Sequence, residues 1–196
     1  MARPIGRRGE TRERILQDAL ALFVDHGVAG TSLQMIANRL GVSKAAVYHR
    51  FPTKDEIILA VLEPVLDILR ALVEQAEAQA SREQQVETTI RGLVDLVIDH
   101  RQLTAALQGD PGIQELLDAH PPMQSVTTRL AYLLSGPQPD AATLFAVAMM
   151  GGGLMRTGVN PLLADMDDDT LRREMLHSAR RLLSPALTVS AEDPVG

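Results

Sequence analysis

The sequence predicts an all-α protein built from a small three-helix head and a longer helical body. Three observations carry this. Apolar residues recur at helical spacing along most of the chain, and no stretch alternates convincingly at period two. Ser, Thr and Asp precede these stretches and Gly or Pro ends them, which is the punctuation of helices. The core material is also aliphatic: of 196 residues 45% are hydrophobic but only 3% aromatic, with no Trp, so Ala, Leu, Val and Met must fill the interior. Ala and Leu favour helices.

Residues 1–9, with Pro4, Gly6, Gly9 and three Arg, read as a flexible basic arm. From Glu10 a first helix places Ile15, Ala19, Leu22, Phe23 and Val24 on one stripe, and Gly27 stops it. After the connection 28–30, Thr31-Ser32-Leu33-Gln34 reads as a capping box in which Thr31 caps and Gln34 reaches back. The second helix turns Met35, Ile36, Ala37 and Leu40 inward and ends at Gly41. Ser43 caps a third helix containing Ala46, Val47 and Phe51, and Pro52 forbids its continuation. Thr53-Lys54-Asp55-Glu56 is a second capping box, opening a long helix through Ile57, Ile58, Val61 and Leu62 to about Ala80, with Pro64 inside as a site for a kink.

The body continues with helical signals alone. Helices are expected over Val86–His100, over Leu103–Leu107 up to the Gly109-Asp110-Pro111-Gly112 break, and over Ile113–Ala119 up to Pro121-Pro122. Met123–Leu134 follows, then a Gly/Pro loop at 135–139, Asp140–Met155 and Thr170–Leu183, with a frayed tail over 184–196.

Composition removes whole classes of function. With no Cys there are no disulfides, thiolate nucleophiles or thiolate metal sites, and the absence fits a reducing cytoplasm. No signal peptide is legible. The longest nearly apolar run, Ala141–Met155, is 15 residues and holds Thr143 and three Gly, short of the about 20 a membrane span needs. A soluble cytoplasmic protein without membrane partners is expected. There is no HExxH, nucleophile elbow or phosphate loop, so an enzyme is not expected, nor a cofactor or bound metal. The net charge of −6 hides an asymmetry. Residues 1–54 carry nine Arg/Lys against four Asp/Glu, +5, while the remainder carries ten against 21, −11. A basic head on an acidic body suggests that the head meets a polyanion, chance clustering at an exposed terminus being the alternative.

The informative stretch is Thr31–Lys54. Two short helices meet across Leu40-Gly41-Val42-Ser43. Ala37, four residues before Gly41, is small enough to lie at their crossing; Gly41 can take the positive φ of a sharp turn; Val42 and Val47 supply the locking contacts. These are the requirements of a helix-turn-helix, whose second helix can enter the major groove of DNA. Ser43 and Lys44 open that helix, Ala45 can offer only apolar contact, such as to a thymine methyl, and Tyr48 and His49 lie one turn later. Lys54 stands at the next helix start, where a cation and free N–H groups can hold a phosphate. Thr31 and Arg39 complete the candidate DNA contacts, with Arg3, Arg7 and Arg8 of the arm as minor-groove or phosphate contacts. The competing reading of these residues is caps and solvated surface.

The run Thr31-Ser32-Leu33-Gln34-Met35-Ile36-Ala37-Asn38-Arg39-Leu40-Gly41-Val42-Ser43-Lys44-Ala45-Ala46-Val47-Tyr48-His49-Arg50-Phe51-Pro52-Thr53-Lys54-Asp55-Glu56 closely resembles the DNA-binding signature of the TetR/AcrR family of repressors, and Arg14-Ile15-Leu16, Ala19, Leu22-Phe23 and Gly27 resemble that family's first helix. The resemblance covers about residues 10–62. It implies a homodimer whose small-molecule effector alters its hold on a palindromic double-stranded DNA operator. It also implies a division into a DNA-binding domain at 1–55 and an effector-binding and dimerisation domain at 56–196. A TetR-like activator, or a regulator without a small-molecule effector, is the alternative.

Two further sites are expected in the body. A mainly apolar effector pocket is expected among the helices at 86–100, 102–108, 123–134 and 140–155, lined by Leu93, Val97, Leu107, Met123, Phe145 and Met149. Leu171, Met175, Ala179 and Leu182 form a stripe on the last helix, expected to join the helix at 140–155 in a four-helix dimer interface unless the stripe packs on its own body. Gly151-Gly152-Gly153 lacks a following Lys-Ser/Thr and a preceding strand, so it is no phosphate loop; close helix approach in a dimer, or a break beside the pocket, explains it better. His100, His120 and His177 have no paired metal-ligand spacing.

Overall fold

A computed structural model describes residues 8–108, 111–157 and 160–188, so Arg3 and Arg7 of the basic arm, Gly109-Asp110 and the tail beyond 188 lie outside the described residues. Within them are ten α-helices and no strand: α1 (Arg8–Gly30), α2 (Leu33–Leu40), α3 (Lys44–Tyr48), α4 (Lys54–Glu77), α5 (Arg82–Asp99), α6 (Arg101–Gln108), α7 (Pro111–Ala119), α8 (Pro121–Ser135), α9 (Ala141–Thr157) and α10 (Asp168–Thr188), with a 3-10 turn at Pro161–Leu163. The described residues of 1–65 and 105–119 form one compact unit, those of 66–104 and 120–196 another.

In the first unit Ile15, Ala19, Leu22 and Phe23 of α1 are buried, but Val24 is 40% exposed, because a ninth-residue step rotates it out of the stripe. Gly27 leaves helical geometry with φ 72° and ψ 164°. This exposes carbonyls at the end of α1, and Thr31 collects them: its buried hydroxyl donates to Gly27 O at 2.8 Å and Leu22 O at 3.1 Å. The cap of α2 is therefore Ser32, not Thr31 as the sequence suggests. Ser32 Oγ accepts from Met35 N at 3.2 Å, and Gln34 donates to Asn38 Oδ1 at 2.8 Å instead of reaching back. The capping box is displaced by one residue since the Thr31 hydroxyl is already engaged.

Gly41, at φ 69°, turns the chain out of α2, and Val42 N donates to Ala37 O at 3.0 Å. Ser43 Oγ caps α3 by accepting from Ala46 N at 3.2 Å, and Thr53 Oγ1 caps α4 by accepting from Glu56 N at 3.1 Å. Pro64 lies inside α4 without ending it.

The second unit is organised around α5. That helix starts four residues before the expected Val86, because Ser81 Oγ accepts from Gln84 N at 3.2 Å. Pro121-Pro122 open α8 instead of only closing the preceding helix, proline at the first helical positions losing no bond. Val86, Ile90, Val94, Val97 and Ile98 of α5 pack with Leu134 of α8, Met150 and Leu154 of α9, and Leu171, Met175, Ala179 and Leu183 of α10. Ion pairs rim this core. Arg180 grips Glu87 at 2.5 and 3.0 Å, Arg129 grips Glu77 at 2.5 and 2.9 Å, and Arg172 reaches Asp95 at 2.8 Å. Hydrogen bonds from Arg180 and then Arg91 hold the Glu87 carboxyl below the usual carboxylate range, against the opposing effect of partial burial.

Candidate nucleic-acid interface and body cleft

The α2–α3 crossing is closed on its inner side and open on its outer side. Ile36, Ala37 and Val47 are fully buried, and Phe51 is 5% exposed. Ala37 at zero exposure leaves no space for a larger side chain. Val42, expected to lock the pair, is 39% exposed; Val47 does so alone, because the left-handed turn at Gly41 points the next residue outward.

Of the eight residues that the sequence singles out for DNA, five lie on the exposed face of α3 and its cap: Ser43, Lys44, Ala45, Tyr48 and His49. The Lys44 ammonium lies 5.3 Å from the centroid of the Tyr48 ring, a cation–π contact that limits the freedom of a solvent-facing cation. The other three are engaged within the unit. Thr31 is 3% exposed with its hydroxyl directed at carbonyls, so it is not placed to reach a phosphate. Arg39 points to acids of α1, with Nε 3.4 Å from Asp18 and Nη1 3.5 Å from Asp25. Lys54 Nζ donates to Val28 O at 3.0 Å, tying the start of α4 to the end of α1. Two further polar features escape a motif-based reading. Gln34 and Asn38 form an exposed amide pair on α2, visible in sequence only as an i, i+4 spacing. Arg12 of α1 lies 5.6 Å from the centroid of the Phe51 ring.

In the second unit the residues expected to line a pocket do not converge. Val97 is buried in the core, Leu93 packs against it, and Met123 is half-buried. Phe145 is 68% and Met149 51% exposed, both on the outward face of α9. Leu107 belongs to the first unit. Among the described residues the second unit holds an open cleft of about 300 Å³ between α4 and α5. Ile68, Ala71, Leu72 and Gln75 of α4 face Gly92, Asp95, Leu96, Asp99 and His100 of α5 across it. The absent side chain of Gly92 makes room for Leu72, since a Cβ there would lie 2.2 Å from Leu72 Cδ1.

The expected dimer stripe is turned inward. Leu171, Met175 and Ala179 are at most 5% exposed within the chain's own core, and Leu182 is half-buried against it. The exposed apolar face lies on α9 instead, where Leu144, Phe145, Ala148, Met149, Gly152 and Met155 follow one helical stripe opposite the buried Thr143, Met150 and Leu154. A Cβ at Gly152 would meet nothing within 4 Å. Among the described residues no helix is long and apolar enough to cross a membrane.

Comparison with known proteins agrees with this geometry. The family described as "Bacterial regulatory proteins, tetR family" matches residues 15–61, from α1 into α4. The chain is 30% identical over 184 residues to the HTH-type transcriptional repressor Rv3405c of Mycobacterium tuberculosis, covering 93% of each protein. In structure it is similar to a TetR-like transcriptional regulator from Rhodococcus sp. RHA1, with a TM-score of 0.67 at 21% identity over 92% of this chain and 99% of that one. It is also similar to the transcriptional regulator FadR of Bacillus subtilis, solved in complex with stearoyl-CoA, with a TM-score of 0.62 at 13% identity over 90% and 97%. Identity of 30% across almost the full length, with the family match seated on the helix-turn-helix, places the chain: it belongs to the TetR/AcrR family of transcriptional regulators.

Proposed function

We propose that the protein is a homodimeric repressor that holds a palindromic operator through α3 and leaves it when a small effector enters the second unit. The observation that carries this reading is the pairing of a fully buried α2–α3 crossing with an exposed α3 face bearing Ser43, Lys44, Ala45, Tyr48 and His49. A rigid crossing presents that face as one body, and base edges are read by side chains on such a helix. Lys44, Ala45 and His49 are the readers; Ser43 and Tyr48 meet the backbone. Lys54 keeps two N–H groups beyond its bond to Val28, enough for a phosphate. The functional division runs at residue 55, with DNA binding in 1–55 and effector binding and dimerisation in 56–196.

The homodimer forms through the outward face of α9. A helix apolar on both faces is ordinarily covered on both, and α10 and α5 cover only one face of α9. Gly152 on the open face lets a partner helix approach closely. Effector control is supported by the α4–α5 cleft and by the stearoyl-CoA bound to FadR. α4 has residues in both units, so a ligand that shifts it in one can change the recognition helices of the other. The ligand acts this way only if it binds the DNA-free state better.

The test is retention of DNA from the chain's own promoter region in a salt-dependent gel shift, paired with a reporter on that promoter. Specific retention with reporter output rising on deletion of the gene supports a repressor. Retention with falling output makes the protein an activator, and no specific retention refutes DNA recognition by α3.

A further inference from the structure

We propose that the α4–α5 cleft is the effector site and that it takes an amphiphilic organic cation, an apolar body carrying one positive head. This rests on the reading above that the second unit binds an effector. The cleft has two kinds of wall. Ile68, Ala71 and Leu72 of α4 and Leu96 of α5 are apolar, and Ile68 is 43% exposed, so the cleft leaves a large aliphatic side chain open to solvent. An alkyl or aryl group of modest size fits about 300 Å³ and removes that surface from water.

The other wall is acidic. Asp95 and Asp99 stand one turn apart on α5 and both line the cleft. Among the described residues the structure pairs them with a single cation, Arg172 of α10, whose guanidinium lies 2.8 Å from Asp95 and 3.6 Å from Asp99. The same guanidinium is also 3.6 Å from Asp169. One positive charge among three carboxylates leaves two negative charges uncompensated. A carboxylate or phosphate ligand meets repulsion here, and a neutral one gains nothing from this wall. An ammonium head beside Asp99, with its apolar body along Leu72 and Leu96, satisfies both walls.

Three probes of equal chain length separate the possibilities: octyltrimethylammonium, octanol and octanoate. Each is titrated by calorimetry into the full-length protein, and by fluorescence anisotropy into its complex with promoter DNA. The ammonium compound is expected to bind and to release DNA at a concentration about five- to ten-fold below that of octanol, the scale of one or two partly exposed charge pairs, with octanoate weakest. Asp95→Asn together with Asp99→Asn is expected to erase the preference for the ammonium over octanol. Ala71→Trp, which fills the groove from an exposed position of α4, is expected to block both.

Equal binding of octanol and the ammonium compound, preference for octanoate, or a preference that survives removal of both carboxylates overturns the cation assignment. Binding that survives Ala71→Trp overturns the location. The two readings fail separately. A protein that holds promoter DNA but binds no ammonium leaves the regulator intact and sinks this inference. A protein that holds no DNA sinks the regulator reading, and calorimetry on the protein alone still decides whether the cleft takes a cation.

Discussion

Replacing Thr31 with valine removes one buried hydroxyl and changes little else in shape. That hydroxyl lies 2.8 Å from Gly27 O and 3.1 Å from Leu22 O, at the point where α1 loses its helical geometry. Thr31 N is engaged with Val28 O, so it does not serve the Gly27 carbonyl in its place. Orphaning a buried acceptor costs about 1–3 kcal/mol. The added methyl recovers up to about 0.8 kcal/mol where it finds contacts. The net expectation is a loss of about 1–2 kcal/mol, and at about 2–4 °C per kcal/mol for a chain of this length the melting temperature falls by about 2–8 °C. Thermal unfolding followed by circular dichroism reads this, with Thr31→Ser as the variant that keeps the hydroxyl. Operator affinity at 25 °C is expected to change by less than about two-fold, since a domain stable by several kcal/mol stays folded after such a loss. The opposite pattern, an unchanged melting temperature with operator binding weakened ten-fold or more, would show that Thr31 holds a phosphate and that its inward hydrogen bonds are not what it is for.

Further expectations follow from the same packing. Ala37→Leu forces extra carbons into a fully buried helix crossing, costing about 1–3 kcal/mol and displacing α3, so operator binding measured by anisotropy is expected to collapse while helical circular dichroism persists. Leu144→Glu with Phe145→Glu places charge on the outward face of α9 and is expected to give monomers in sedimentation velocity; a persisting dimer would move the interface elsewhere. Leu182→Glu is expected to lower the melting temperature without dissociating the dimer, because Leu182 packs against its own core. Arg180 holds the folded-state pKa of Glu87 below its unfolded value, so the pair stabilises above the ordinary carboxylate range and its contribution is lost as pH falls through the lowered pKa. Glu87→Gln should therefore show a shallower fall in melting temperature between about pH 5 and 3 than the wild type, and parallel curves would remove this role; the carboxylate is a third exposed, so the effect is modest.

The head was legible because its punctuation is local. Gly27, Gly41, Ser43 and Thr53 act on neighbours within four residues, and each does in the structure what its chemistry suggests. The sequence is ambiguous where two residues compete for one task or where a period fits two partners. Thr31 and Ser32 both can cap α2, and only the distant carbonyls of α1 decide between them. Leu171, Met175 and Ala179 make an apolar stripe that suits either a partner chain or the chain's own core, and α5 and α9 claim it. Leu93 and Val97 lie on the same helix as the cleft residues Gly92, Asp95, Leu96 and Asp99, but on the neighbouring face. Periodicity gives the existence of an apolar face and not its direction, so it does not tell that Phe145 and Met149 face outward. The acidic wall of the cleft is not legible in the sequence, where Asp95 and Asp99 read as ordinary surface charge.

The central claim is that side chains on α3 read a two-fold DNA site, and selection from randomised duplexes tests it most directly. Wild-type protein, Lys44→Ala, Ala45→Ser, His49→Ala and, for a backbone contact, Lys54→Ala are each profiled at fixed salt. The account predicts that the wild type selects a palindrome with half-site centres separated by about one helical turn or a multiple of it. It further predicts that each of the three α3 substitutions changes preference at particular positions in both half-sites, while Lys54→Ala weakens binding across all sequences without changing the preferred one. An identical profile for all three α3 variants, or a changed base preference in Lys54→Ala alone, would contradict it.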